Sequence, residues 1–285
     1  MPSSMRSRRL LSAPLAGLLL LAGCSGEAQT REAQREIHDT VAPRVQEMVT
    51  GTIRRTRLGV AEAALRLRAG WAYEGEERVA RMRPVLQTLI EAPPAGLANL
   101  AVSPITFLAT VDADGTVLAS STSGEEDRMA GNDLAEIAPV LRTCLEEGIA
   151  GHALVDFPQA DGTGRPHQLF ATPVRRDGAV VGAVVAGIPL DRYTRALSRA
   201  LRLDYPAPAV VWAALYRGDT WYLHRGFPED LLEVLPSETA RQEGLTLSPG
   251  GFTGGFSQYS SWYGYGVLPL PRLGEGVGAV LVLSL

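Results

Sequence analysis

A hairpin pattern that occurs twice limits this chain more tightly than its length or composition does. Ala109-Thr-Val-Asp-Ala-Asp-Gly-Thr-Val-Leu118 reads as an apolar strand, an Asp-Gly turn and a returning strand. The Asp-Gly pair supplies the positive φ that a tight hairpin needs. The same plan returns at Ala213-Ala-Leu-Tyr-Arg-Gly-Asp-Thr-Trp-Tyr222, and Gly182-Ala-Val-Val185 returns as Gly278-Ala-Val-Leu281. A period of about 100 residues is a domain duplication, because solenoid repeats are several times shorter.

The rest of each half follows from periodicity. The first half is expected to run strand 105–111, strand 116–120, helix 134–147, then strands 152–157, 168–174 and 180–188. Asn132 or Asp133 caps the helix and Gly148 ends it. A linking helix over 191–203 leads to the second half. Its strands are expected at 210–216, 220–224, 244–248, 257–268 and 277–285, with a short helix inside 228–239. Gly250-Gly-Phe-Thr-Gly-Gly255 reads as a flexible loop. Ahead of both halves, Ile37, Val41, Val45, Met48, Ile53, Val60 and Leu65 recur at helical spacing over 32–67. Pro43, Gly51 and Gly59 should bend or divide that helix. A second helix is expected over 79–89, ended by Ala92-Pro-Pro-Ala-Gly96. The expected class is α+β, with a long N-terminal helix bracing two antiparallel five-stranded sheets. The units are 31–98 (helical), 99–190 (first sheet), 191–208 (linker) and 209–285 (second sheet).

The first residues carry a processing signal. Arg6, Arg8 and Arg9 precede the apolar run Leu10–Leu21, and Leu21-Ala-Gly-Cys24 follows. A charged start, a short apolar stretch and small residues describe a secretory signal over 1–23, too short to span a bilayer comfortably. The small-small-Cys ending resembles the lipobox of bacterial lipoproteins. That resemblance implies cleavage before Cys24, its diacylation and N-acylation, and a membrane anchor through the lipid. Ser25 then implies the periplasmic side of the outer membrane, with 24–30 as a tether. Cys144 becomes the only free thiol, and its apolar helix setting reads as buried and inert.

Charge and motifs exclude several activities. The 27 basic residues are all arginine, against 31 acidic ones. No lysine exists for a P-loop or a Schiff base, and loss of the signal makes the net charge of −4 more negative by three. No basic-aromatic strip suggests nucleic acid. Asp112 and Asp114 lack the spacing of an EF-hand, and His38, His152, His167 and His224 form no zinc pattern. No G-x-S-x-G elbow is present, so an enzyme is not expected, nor is a cofactor.

The long helix, the hairpin Phe107–Ser120, and Phe170-Ala-Thr-Pro-Val174 through Gly182-Ala-Val-Val-Ala-Gly-Ile188 with its following helix together resemble the double-Cache, PAS-like extracytoplasmic sensor domain. The resemblance implies two PAS-like sheets along one helix and a small organic ligand such as an amino acid or carboxylate. The aromatic-Arg-Asp cluster of many amino-acid-binding members has no match over 105–188, so that specificity is not carried over. The last strand ends at Leu285 without a helix leading to a membrane or a signalling domain. That fits a lipid-anchored binding protein, or a partner of a separate receptor, better than a transmembrane receptor. A pocket between the concave sheet and its helices would draw on Arg142, Asp156, His167, Phe170 and Thr172. An arginine fork would hold a carboxylate and an aspartate an amine. The alternative function is a structural lipoprotein that docks another envelope protein. Its surface would be the aromatic strand, with Tyr259, Tyr263 and Tyr265 sharing one face and Trp262 the other.

Overall fold

The computed structural model describes residues 16–122, 129–158, 164–205 and 207–285, with backbone alone for 16–25 and 158. The start of the expected signal, 1–15, and the Cys24 side chain lie outside the described residues. No described helix is long and apolar enough to cross a membrane.

One helical column runs through the N-terminal region. Helix α1 (Ala16–Glu36) passes through a wide π turn at Ile37–Val41 into α2 (Ala42–Leu67). Pro43 has no N–H to continue an α ladder, and the Ala42 N–H reaches back to the Ile37 carbonyl instead. Of the bend or division expected here, the column shows no division: it stays continuous through the π turn. Val45, Val49, Ile53, Val60, Ala63 and Leu67 form its buried stripe. Full burial stabilises each Val, Leu or Ile by roughly 1.5–3 kcal/mol, which is what holds a helix this rich in exposed arginine against the sheets. Helix α3 (Gly75–Glu91) folds back, and α4 (Ala98–Ala101) crosses α2 at Gly59. A Cβ on Gly59 would come within 2.7 Å of the Leu100 backbone nitrogen, so this glycine serves close packing rather than a bend.

The first sheet contains β1 (Phe107–Asp112), β2 (Val117–Ser120), β3 (Gly151–Pro158), β4 (Gly164–Arg176) and β5 (Ala179–Pro189). Its order is β2-β1-β5-β4-β3, all antiparallel. The helix expected over 134–147 is two pieces, α5 (Leu134–Ile137) and α6 (Pro139–Glu147), because Pro139 takes a first-turn position and restarts it. Asp133 Oδ1 accepts from the Ala135 and Glu136 amides at 2.8 and 3.2 Å, which settles the cap.

Helix α7 (Leu190–Asp204) leads to β6 (Val210–Arg217), β7 (Thr220–Tyr222), α8 (Glu238–Leu247), β8 (Phe252–Gln258), β9 (Ser261–Pro269) and β10 (Val277–Ser284). The second sheet has order β7-β6-β10-β9-β8, the same permutation as the first. Three expectations fail here, the first being the strand over 257–268, which a turn at Tyr259-Ser260 divides between β8 and β9. The strand expected at 244–248 is the end of α8, which Ser237 caps through the Ala240 amide at 3.3 Å. The loop expected at 250–255 is instead the approach to β8 and most of that strand. Glycines on β8 and β9 alternate with aromatics at the period of a strand. Gly255, Gly264 and Gly266 lie under Thr30, Ala33 and Ile37 of the column, while Phe252, Phe256, Tyr263 and Tyr265 face away.

Each sheet has two faces. The column side of both sheets shares one core, in which Leu108, Phe170 and Ile188 of the first meet α2, and Leu215 and Leu281 of the second join them. The opposite faces have separate cores. In the first half, Phe107, Leu169 and Val185 pack against Leu134, Leu141 and Cys144. In the second, Tyr216, Tyr263 and Val280 pack against Phe227 and Leu231. Burial pushes the Cys144 thiol up to about 12, which leaves it protonated and unreactive.

Candidate functional site

Three elements meet at an arginine-lined groove beside the shared core. On α2, Thr50, Arg54, Arg57 and Ala61 follow at helical spacing along the flank of the buried stripe. Opposite them, His152 on β3 is the register partner of Phe170 on β4, and Thr172 lies two residues further along the same face. The third wall is Arg272, from the turn between β9 and β10. The groove encloses about 540 Å³, with Ile53 and Leu58 in its apolar part.

The turn that brings Arg272 here is tied to the first sheet. Gln168 Nε2 donates to the Arg272 carbonyl at 3.3 Å. Gly274 presses on Leu154, where its φ of 149° and a contact of 2.8 Å to the would-be Cβ leave no room for a side chain. Phe170, almost wholly buried, stacks under His152 with ring centres 5.6 Å apart. The stack on Phe170 restrains the imidazole, which lines the groove.

The groove is lined by positive charge alone. Some arginines elsewhere have carboxylates: Arg31 with Glu27, Arg44 with Glu47 and Asp204, Arg81 with Glu77, Arg165 with Asp191. No acidic residue lines the groove, and Arg54, Arg57 and Arg272 have no ion pair among the described residues. Burial, and then the positive charge of Arg57, hold the His152 imidazole below its ordinary range; a backbone hydrogen bond at Arg272 opposes this, and the charge of Arg272 adds to it. Neutral His152 leaves the three guanidiniums as the charges of the site.

His167 and His224 are also held down, chiefly by burial. A histidine depressed in the folded state takes up its proton more readily when unfolded. Its stabilising contribution is complete above the unfolded value near 6.5 and is lost as pH falls through the lower folded values. Urea unfolding at neutral pH and at pH about 5 should therefore show lower stability in acid, with a smaller loss in His167→Phe. An equal or greater acid loss in that variant would contradict this account.

The five residues expected to form one pocket are spread over several surfaces. Phe170 and Thr172 face the column, and only Thr172 borders the groove directly. His167 faces the opposite side of β4, between the rings of Phe107 and Phe157, and its Nδ1 lies 2.8 Å from the Arg165 carbonyl. Asp156 is paired across the halves, both its oxygens accepting from Arg217 Nη1 at 2.8 Å. Arg142 is exposed on α6, donates to the Ala135 carbonyl at 3.2 Å, and sits in a cleft with Asp114, Asp133, Glu136 and Glu146. Of the aromatic surface, Tyr259 stands in the β8–β9 turn at positive φ rather than on a shared strand face. Trp262 covers Gly26 of α1, Tyr263 is core, and Tyr265 is half-buried beside Phe252 and Phe256. No group of three or more metal-ligating side chains occurs among the described residues.

Sequence inspection missed Arg54, Arg57 and Arg272. A signal for the first two was present: no Asp or Glu stands three or four residues from either on the helix. Arg31, Arg44 and Arg81 each have one at that spacing.

Two antiparallel sheets of identical strand order, laid along one long helix, are the double-Cache fold. Solved structures of that kind align over nearly the whole chain. The ligand-binding domain of the Campylobacter jejuni chemoreceptor Tlp3 in complex with L-valine has a TM-score of 0.54 at 10% identity, covering 93% of this chain and 95% of that one. The ligand-binding domain of the Pseudomonas aeruginosa PAO1 amino acid chemoreceptor PctB in complex with L-Arg gives 0.50 at 15% identity, covering 90% and 95%. This chain also spans 39% of a longer extracellular ligand binding receptor from Desulfohalobium retbaense DSM5692, at 17% identity and a TM-score of 0.48. No family model matches the sequence, and comparison with curated proteins gives no match.

Proposed function

We propose that this chain is an extracytoplasmic, non-enzymatic small-molecule-binding protein of the sensor type, anchored by lipid on Cys24 to the periplasmic face of the outer membrane. The observation that carries the binding reading is the groove of about 540 Å³ where α2, the first sheet and the β9–β10 turn meet. It has the size and mixed lining of a small-molecule site: an apolar part with a few convergent polar groups. Its three walls come from the column and from both halves, so an occupant would bear on their relative position. The solved chemoreceptor domains with this fold hold L-valine and L-Arg. The 99–190 and 209–285 units are read as the two sensor modules, joined by the 191–208 linker.

The test is thermal unfolding of the full chain, in mild detergent, against amino acids, carboxylates and amines. A ligand that binds only the folded state raises the midpoint saturably, by about 2.7 kcal/mol of stabilisation at a hundred times its Kd. No rise from any class would remove the binding reading and favour docking of an envelope protein. Metabolic labelling with palmitate, lost in Cys24→Ser, tests the anchor separately.

A further inference from the structure

We infer that the groove takes a compact organic anion with at least two negative groups, gripped by Arg54 and Arg57 from the helix and by Arg272 from the second half. The inference rests on the binding reading above and names the ligand class of that same groove.

The first ground is the absence of counter-charge. Acidic residues outnumber basic ones in this chain, 31 to 27, and carboxylates reach arginines elsewhere, as Glu27 reaches Arg31 and Asp191 reaches Arg165, but none lines this groove. Arg54, Arg57 and Arg272 line one concave space with no carboxylate in its lining, and like charges gathered at one site oppose each other. Folding gains nothing from that arrangement, and sites that break a local rule in this way are where function is expected.

Construction is the second ground. Arg272 is not a loose surface residue, since its carbonyl is held by Gln168 and its turn is pressed on Leu154 through Gly274. His152, stacked on Phe170, lines the groove, and Thr50 and Thr172 bring hydroxyl groups that donate or accept to its lining.

The number of charges follows from geometry. A guanidinium grips one carboxylate or phosphate through two parallel N–H bonds, so a single carboxylate satisfies one fork and leaves two. A second negative group is needed to engage arginines on opposite walls. The volume suits an organic molecule rather than a bare inorganic ion. The lack of any acid excludes an amine as the principal anchor. Carboxylates and phosphate esters share this chemistry.

The experiment is calorimetric titration of the full chain with citrate, glycerol phosphate, acetate and alanine, at low and moderate salt. Citrate or glycerol phosphate is expected to bind at least about tenfold more tightly than acetate or alanine. Whichever of the two binds assigns the carboxylate or the phosphate source, and affinity should fall as salt rises. Arg272→Ala and Arg57→Ala are each expected to weaken binding about tenfold or more, while the unfolding midpoint of the free chain stays level or rises as repulsion is relieved. Arg272→Lys should recover only part of the affinity, because an ammonium lacks the fork. Tight binding of alanine or an amine, or anion binding unchanged in both alanine variants, would overturn the inference and leave the small-molecule reading standing. If these four probes and the wider ligand panel all fail to bind, both are overturned.

Discussion

Gly264→Val is expected to destabilise the protein by about 3 kcal/mol, at the upper end of what overpacking costs. A Cβ at Gly264 would stand 2.9 Å from the Ala33 Cβ and 2.9 Å from the Gln34 amide nitrogen, so α1 and β9 touch backbone to backbone there. Neighbouring Gly266 leaves room for the Ile37 side chain, whose Cγ2 packs on it. Neither wall yields easily, since one is a helix backbone and the other is paired on both sides, to β8 and β10. Gly250→Ala is the control. Nothing lies within 4 Å of a Cβ at Gly250, and a change of no more than about 0.5 kcal/mol is expected there. Urea unfolding followed by circular dichroism measures both. Equal losses would mean that glycine acts here through chain flexibility rather than contact, and the close packing of α1 on the second sheet would lose its support.

Phe170→Ala should cost about 3–5 kcal/mol, the range for removing a buried aromatic ring. Phe170 is 1% exposed and belongs to the core that both sheets share with the column. It is also the ring on which His152 rests, so its loss removes a support of the groove. Phe170→Leu separates the two effects. It keeps most of the volume and should cost less, about 1.5 kcal/mol. Yet it takes the flat surface from under the imidazole, and binding of the groove's anion should weaken beyond what the change in stability explains. Equilibrium unfolding and titration of the same sample give both quantities. Unchanged anion affinity in Phe170→Leu would show that the stack does not position His152.

Much of this architecture was legible because its determinants are local. Asp-Gly at 114–115 and 177–178 sets turn geometry within two residues, and both hairpins fall where the letters place them. Asp133 caps α5 through the Ala135 and Glu136 amides, two and three residues ahead, so its role can be read without knowing the fold. The likeness of the two halves was visible in short matched strings, and the shared strand order bears it out. The errors are equally physical. Glycine-rich 250–255 reads as a loop when composition is weighed, but its period-two alternation with Phe252 and Phe256 belongs to a strand lying under a helix. The end of α8 was mistaken for a strand because what anchors the helix is distant in sequence. Arg241, buried, donates to the Pro236 and Gly218 carbonyls and lies over the rings of Tyr216 and Trp221.

The groove shows the limit most sharply. Arg57 and Arg272 are more than two hundred positions apart, and each alone looks like a solvated surface charge. Alternation and turn chemistry act over a few residues, so the amino-acid order by itself determined the strands of the first half, the duplicated plan and the class of fold. Which face of β4 meets the helix, and which turn of the second half closes on the first, follows from packing between distant segments. The three arginines line one groove only once that packing has brought them together, and so the tertiary structure alone decided where a ligand site could be.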